Sequence, residues 1–269
     1  MQKNKLVVIA DYPDSLAHDK DETLQDRATS LAIRLQLDSI SFPDPWQQDY
    51  EFALLVSTQG LSLKMGGHLA PGPVTVDFCS PAISYRVKDA VGRQAIARAV
   101  GVKPGIELKV LDATAGLGKD SFLLACLGCR VTMYERDPII HTLLEDGIRR
   151  GGESEDNQIR AAVRRMDLRL EDFNGLEEAG QNFDIVNLDP MFPKRSKSAR
   201  VKKDMFVLQT FLSGGIKSSD EQSLLTGALA LARKRVVVKR PRLAKYLADL
   251  KPSHSLSGSS SRYDVYITG

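Results

Sequence analysis

The spacing of apolar and polar positions changes rhythm partway along the chain. LVVIA (6–10) is an apolar run of strand length. Over 23–37, Leu24, Ala28, Leu31, Ala32 and Leu35 recur at helical spacing and predict an amphipathic helix. FALLVS and LSLKM, parted by Thr58-Gln59-Gly60, predict a hairpin. VTVDF (74–78) predicts a further strand, and VKDAVGRQAIARAVG (87–101) a helix stopped by Gly101. From Lys109 onward strands and helices alternate. KVLDA (109–113), RVTMYE (130–135), LRLEDF (168–173), FDIVNLDP (183–190), RVVVKR (235–240) and YDVYITG (263–269) read as strands. Gly116–Leu127, Pro138–Ile148, Glu221–Ala232 and RLAKYLADL (242–250) read as turns and helices between them.

Nearly all-apolar strands alternating with amphipathic helices predict a mostly parallel sheet covered on both faces. The expected fold is therefore α/β, a Rossmann-like sheet with a smaller N-terminal α/β part. The punctuation GVKPG (101–105) places the boundary between residues 1–104 and 105–269. A 269-residue chain with 42% hydrophobic and 26% charged residues has ordinary globular composition. No apolar run approaches the roughly 18 residues of a membrane helix. MQKNKLVVIADYPDS lacks the long apolar stretch of a signal peptide, so a cytoplasmic location is expected. Cys79, Cys126 and Cys129 cannot form a disulfide framework. Cys126 and Cys129 make a C-x-x-C that reads as two small residues flanking a helix-to-strand turn. With no second cysteine pair, and with His18, His68, His141 and His254 scattered, no metal site is expected.

Charge changes the picture more than composition does. The net charge is only +3, but its distribution is uneven. Residues 1–60 carry 5 Lys/Arg against 10 Asp/Glu. Lys194–Lys203 holds six cations and no acid, and Arg233–Lys245 holds seven and no acid. Two acid-free basic runs in an otherwise balanced chain point to a polyanionic partner.

VLDATAGLGKDSFLLACLG is a strand, a glycine-bearing turn and a helix. Such a turn lets a ligand approach the backbone at the carboxyl end of the strand. Gly116 and Gly118 match the first two glycines of a dinucleotide fingerprint, but Ser121 stands at the third. Asp120, in the first helical turn, competes with a pyrophosphate for the same positive helix end. Both features disfavour a nicotinamide oxidoreductase. An adenosyl ligand without phosphate, S-adenosylmethionine, fits better. Asp112 and Asp120 offer carboxylates to its cationic groups. Glu135 ends the next strand, where an acid accepts from both ribose hydroxyls. Glu171-Asp172 follow the third strand, near where the adenine amino group would lie.

NLDPMFP (187–193) follows the apolar strand, so Asp189 is expected at a strand's carboxyl end beside the glycine turn. Asp189, Pro190 and Phe192 resemble the acid-Pro-Pro-aromatic motif of amino-group methyltransferases, with Met191 at the third place. An exocyclic amine on a base is a poor nucleophile, because its lone pair is delocalised into the ring. Asp189 and the Pro190 carbonyl can each accept one N–H and aim the lone pair, while Phe192 stacks on the base. Lys194, Arg195, Lys197, Lys202 and Lys203 follow directly, and Lys239 and Arg240 end a neighbouring strand. All seven are expected at phosphates. These residues would accept an adenine N6 amine as readily as a guanine N2. A DNA adenine or protein glutamine methyltransferase, and a non-catalytic RNA-binding module, remain the competing classes.

LDATAGLGKDSF, GCRVTMYERDP, LDPMFP followed by KSARVKKDM, and RVVVKRP resemble the RsmJ family of bacterial methyltransferases. VDF (76–78), the Tyr85-Arg86 region and GRQAIARAVG (92–101) extend the similarity upstream, so that it covers roughly residues 65–269. The resemblance implies methylation of the N2 amine of a guanosine in small-subunit ribosomal RNA, with S-adenosylmethionine as methyl donor. It places cofactor contacts on Lys119-Asp120, Glu135-Arg136, Glu171-Asp172 and Asp189. The family often has Arg at the place of Lys119, and a Ser pair at the place of Glu171-Asp172.

Overall fold

A computed structural model describes residues 6–11, 22–40, 50–81, 83, 94–173, 183–190, 203–212, 218–258 and 261–269. The chain divides into two compact units. One comprises Met1–Val76 with Pro193–Gly215, the other Asp77–Phe192 with Ile216–Gly269. This division falls earlier than the Gly101–Gly105 punctuation, because the helix ending at Gly101 packs on strands of the larger unit.

The smaller unit is built on a four-stranded sheet. β1 (Leu6–Ala10) runs parallel to β2 (Asp38–Ile40) on one side and β3 (Phe52–Ser57) on the other. β4 (Gly60–Met65) closes the expected hairpin with β3. Helix α1 (Glu22–Leu35) buries Leu24, Ala28, Leu31 and Ala32 of the stripe that its spacing predicts, with Leu35 half-buried at its end. VTVDF does not form a strand. Val74 makes a single bridge to Leu63, after which Asp77 turns the chain by accepting from the Cys79 N–H at 2.9 Å. Helix α6 (Lys203–Phe211) belongs to this unit, and Phe211 meets Phe52 edge-on at 5.1 Å.

The larger unit holds a seven-stranded sheet in the order β10-β11-β9-β8-β5-β6-β7. Its strands are β5 (Lys109–Asp112), β6 (Arg130–Glu135), β7 (Met166–Leu170), β8 (Phe183–Leu188), β9 (Ala232–Pro241), β10 (His254–Ser257) and β11 (Ser261–Ile267). β7, β6, β5, β8 and β9 are parallel, while β11 is antiparallel to β9 and β10. Strand order reverses at β5, which puts a crevice between the carboxyl ends of β5 and β8. Ligands bind at such a point in open α/β sheets.

Helices α2 (Ala95–Val100), α3 (Lys119–Cys126), α4 (Pro138–Gly152), α5 (Asn157–Val163) and α7 (Ser218–Leu231) complete this unit. Leu224, Leu225 and Ala228 of α7 pack against Leu111, Val186, Leu188, Val236 and Val238 on one sheet face. Phe78 stacks on Phe122 of α3 at 4.4 Å. α4 starts as its sequence predicts, with Pro138 in the first turn and the Asp137 carboxylate accepting from Ile139 N and Ile140 N.

Two expectations change in this unit. The third strand runs Met166–Leu170 rather than to Phe173, which leaves Glu171 and Asp172 after it, where the site reading expects them. RLAKYLADL is not a helix: after Pro241 it forms turns and a short 3₁₀ segment, Leu247–Asp249. Tertiary hydrogen bonds override its helical pattern. Arg262 donates to the carbonyls of Arg242 and Ala244, and Arg240 to that of Lys245, each at 3.0 Å. Tyr266 takes the Leu250 carbonyl at 2.8 Å. No described helix is long and apolar enough to cross a membrane.

Candidate functional site

The residue types singled out in the sequence converge on the carboxyl ends of β6, β5, β8 and β9. Asp112 closes β5 and is 3% exposed. One of its carboxylate oxygens accepts from the Thr114 N–H at 3.3 Å, the other from the Ser121 hydroxyl at 2.5 Å. Gly116 and Gly118 both adopt left-handed backbone, with φ of 55° and 67°. At Gly118 a Cβ would also lie 2.6 Å from Leu144, so only glycine fits. At Gly116 the space where a Cβ would point is open.

Glu135 locks this turn to the next strand. Its Oε2 accepts from Gly116 N and its Oε1 from Asp137 N, both at 2.9 Å. Each carboxylate oxygen keeps a second lone pair for a ligand hydroxyl. Burial raises the Glu135 pKa against the lowering effect of these two N–H groups. Arg136 and Asp172 come together as a half-exposed ion pair at 3.8 Å, with Glu171 alongside Asp172 in sequence.

Across the crevice, the Asp189 N–H donates to Thr114 Oγ1 at 2.6 Å, which ties the end of β8 to the glycine turn. Lys239 of β9 reaches between two carboxylates. Its Nζ is 2.8 Å from Asp189 Oδ2 and 2.6 Å from Asp120 Oδ2. Burial works to lower the Lys239 pKa, but Asp189 and Asp120 outweigh it and hold the ammonium above its ordinary range. Burial raises Asp189 despite this cation. Asp112 is pushed up to about 6, chiefly by burial and further by Asp120 and Asp189, against its hydrogen bonds from Ser121 and Thr114.

Pro190 is buried beside Asp189. Phe192, Lys194, Arg195, Lys197 and Lys202 lie outside the described residues. Lys203, in the smaller unit, donates to the Pro73 carbonyl at 3.0 Å. The two cations expected at phosphates on β9 turn inward instead. Lys239 joins the carboxylates, and Arg240 is 5% exposed, donating to Lys245 O and standing 3.5 Å from Glu221. The spacing alone puts Lys239 at a phosphate rather than between these acids, because the pairing that brings it to Asp189, 50 residues away, is invisible in it. Thr114, whose hydroxyl makes the tie to Asp189, gives no local signal in the sequence beyond its place in the turn. Asn187 falls within a nearly all-apolar strand, yet its buried amide has no hydrogen-bond partner among the described residues and lies in register with Asp112. A polar residue inside FDIVNL was the available signal. Cys126 and Cys129 are thiols that burial pushes up to about 11, as inert packing residues are. Among the described residues no group of acids, cysteines and histidines could hold a metal ion.

With Asp112, Asp120 and Asp189 gathered near the Lys239 ammonium and Glu135 at the next strand end, carboxylates outnumber that cation, so the crevice favours a cationic ligand and repels a phosphate. The open space at Gly116 and the spare lone pairs of Glu135 suit a ribose. These residues fit an adenosyl sulfonium.

The raised Asp112 pKa carries a stability prediction. A carboxyl that binds its proton more tightly when folded makes the protein less stable as pH rises from about 4 to about 6, with the loss complete above that range. Asp112→Asn removes this penalty while keeping an acceptor for Thr114. The variant should gain on the order of 2–3 kcal/mol relative to wild type between pH 4 and pH 7.5. Denaturant unfolding at both pH values checks it; parallel pH dependence in the two proteins would refute it.

Comparison with known proteins agrees with this geometry. A family model described as "Putative SAM-dependent methyltransferase" matches residues 34–268. The chain is 45% identical over 260 residues to ribosomal RNA small subunit methyltransferase J of Tolumonas auensis, covering 95% of this chain and 98% of that one. It is 48% identical to the protein of the same name from Pseudomonas fluorescens, covering 91% of each. The crystal structure of a SAM-dependent methyltransferase from Neisseria gonorrhoeae superposes with a TM-score of 0.69 at 34% identity, covering 97% of this chain and 96% of that one.

Proposed function

Because the chain belongs to the ribosomal RNA small subunit methyltransferase J family, we infer that it methylates small-subunit ribosomal RNA with S-adenosylmethionine. The target implied by the family resemblance is the N2 amine of a guanosine, and the cytoplasm is where that RNA is met. The cofactor and catalytic residues argued below all fall within residues 105–269.

The observation that carries the cofactor assignment is the Glu135 carboxylate fixed to the glycine turn through Gly116 N. Glu135 takes the ribose hydroxyls on its outer lone pairs. Asp112 and Asp120, at the two ends of the turn, face the cationic groups, with Lys119 beside them. Arg136, Glu171 and Asp172 border the adenine side. When bound, S-adenosylmethionine supplies a methyl group on a sulfonium that acts as the leaving group.

The chain's own residues supply the geometry of transfer. Lys239 occupies Asp189 Oδ2, which leaves Oδ1 to accept one N–H of the target amine. The Pro190 carbonyl accepts the other, and Thr114 holds the Asp189 backbone so that both acceptors keep their places. The nitrogen lone pair is thereby held towards the crevice where the methyl donor would bind; well-oriented reactions gain as much as roughly 7–11 kcal/mol. Once the new bond forms, the nitrogen gives up one proton, for which Asp189 is the nearest acceptor. Phe192 stacks on the flipped base, and the basic run Lys194–Lys203 meets flanking phosphates.

Tritiated methyl transfer to undermethylated small-subunit ribosomal RNA, followed by nucleoside analysis, tests the function directly. Label in any nucleoside other than N2-methylguanosine would overturn the target. Glu135→Ala should weaken cofactor binding by the loss of a charge-assisted contact, about 1.5–3 kcal/mol. Calorimetry measures this, and an unchanged affinity would remove the ribose assignment.

A further inference from the structure

The segment after β9 is pinned from inside and bare outside. Arg262 takes the carbonyls of Arg242 and Ala244, Arg240 takes that of Lys245, and Tyr266 takes that of Leu250. Arg262 is itself clamped by the fully buried Asp264 at 2.8 and 2.9 Å. At the far end Ala248 and Asp249 are held in left-handed backbone, with φ of 52° and 53°. That conformation is strained for a residue that carries a Cβ. A surface loop so heavily fastened keeps one shape.

What this shape presents is Arg242, Leu243 and Lys245. Leu243 is 81% exposed. The cations on either side are exposed as well, and neither makes an ion pair among the described residues. Of the seven cations in the run Arg233–Lys245, these are the two at the carboxyl end of β9 that face solvent, since Lys239 and Arg240 are engaged inside. Arg242 follows Lys239 by three residues, within about 10 Å of chain. It stands on the same carboxyl edge as Asp189.

We propose that Arg242, Leu243 and Lys245 form a preorganised docking surface for the RNA strand flanking the target nucleotide. Arg242 and Lys245 contact phosphates, and Leu243 lies against an adjacent base or ribose. This rests on the reading of the chain as an RNA methyltransferase and supplies the contacts that Lys239 and Arg240 do not make. Uncompensated cations around a lone apolar side chain suit a polyanion with apolar faces. The fixed backbone spares the ordering cost that a flexible basic loop would carry on binding. The three side chains can be changed without touching the pins, which are made through backbone carbonyls.

The test measures binding of an unmethylated small-subunit ribosomal RNA fragment across a salt series, together with methyl transfer. Arg242→Ala/Lys245→Ala should weaken RNA binding about tenfold near physiological salt and flatten the log–log salt slope by roughly 1.4–1.8, two phosphate contacts' worth. The rate at saturating RNA and the cofactor affinity should stay within about twofold of wild type, because neither residue touches the crevice. Leu243→Ala should weaken binding with the slope unchanged. Lys103→Ala/Arg233→Ala removes the same charge from exposed positions at the opposite edge of the sheet, and should leave the slope nearly intact. The proposal is overturned if wild type methylates the fragment while the Arg242/Lys245 variant keeps its affinity and slope, or if the opposite-edge control loses as much. A wild type that neither binds nor methylates the RNA would defeat the parent reading, and this one with it, before any variant is made.

Discussion

Asp189→Ala should lower methyl transfer at saturating cofactor and RNA by at least about 10²-fold, the scale of removing one preorganised electrostatic partner. The expectation follows from what the side chain holds at once. Its Oδ2 is taken by Lys239 and its backbone by Thr114, so Oδ1 is the fixed acceptor left for the amine. Alanine leaves the backbone bond to Thr114 in place but removes the acceptor. It also leaves Lys239 facing the approaching amine as a bare donor, which opposes the N–H groups that must point there. Because the family resemblance also gives Asp189 a cofactor contact, some loss of cofactor affinity should accompany the drop. Single-turnover kinetics with saturating cofactor separates the two effects. Asp189→Asn is the informative companion. It keeps an oxygen acceptor but loses the charge paired with Lys239, and should recover part of the rate. Near-normal transfer by Asp189→Ala in a folded protein would defeat the mechanism even with fold and cofactor intact.

Much of this site was legible in the sequence because its parts are local. A glycine turn after an apolar strand, an acid at the end of the next strand and an acid-proline pair after a third each announce themselves within a few residues. The parallel sheet then brings them to one edge, since strands covered on both faces leave their carboxyl ends as the open border. What could not be read is what depends on pairing between distant segments. Lys239 looks like one more cation in a basic run until β9 is laid beside β8, where it falls next to Asp189. Arg240 looks the same until Glu221 and the Lys245 carbonyl claim it. RLAKYLADL has helical spacing, yet three carbonyls that a helix would use internally are taken by arginines from β9 and β11. VTVDF alternates like a strand but follows Pro71 and Pro73 and finds only one bridging partner. Local periodicity reports which face is apolar. It does not report which side chains will compete for the backbone.

Lys239→Met should be the second severe loss, and it separates a positioning role from simple support. The wild-type ammonium sits between Asp120 and Asp189, with three-quarters of its side chain buried. Methionine keeps most of the stem's packing and deletes the charge, which leaves the two carboxylates facing the crevice without a cation between them. Breaking a fully buried pair costs about 3–5 kcal/mol; with Asp189 partly open to solvent, roughly 1–3 kcal/mol of stability should go. A purely structural lysine would show that loss and little else. A positioning lysine also moves the pH dependence of the rate. Burial already raises the Asp189 pKa and Lys239 opposes it, so removing the cation lets it rise further. Protonated Asp189 cannot accept the amine N–H, so the acid limb of the pH–rate profile should shift to higher pH. At neutral pH the rate should fall by about 10²-fold, recovering in part as the medium is made alkaline. Lys239→Arg keeps the charge and should return the limb towards its wild-type position, although its planar fork will not bridge the two acids as the ammonium does. A Lys239→Met protein that is less stable but keeps the wild-type acid limb would reduce Lys239 to a structural brace.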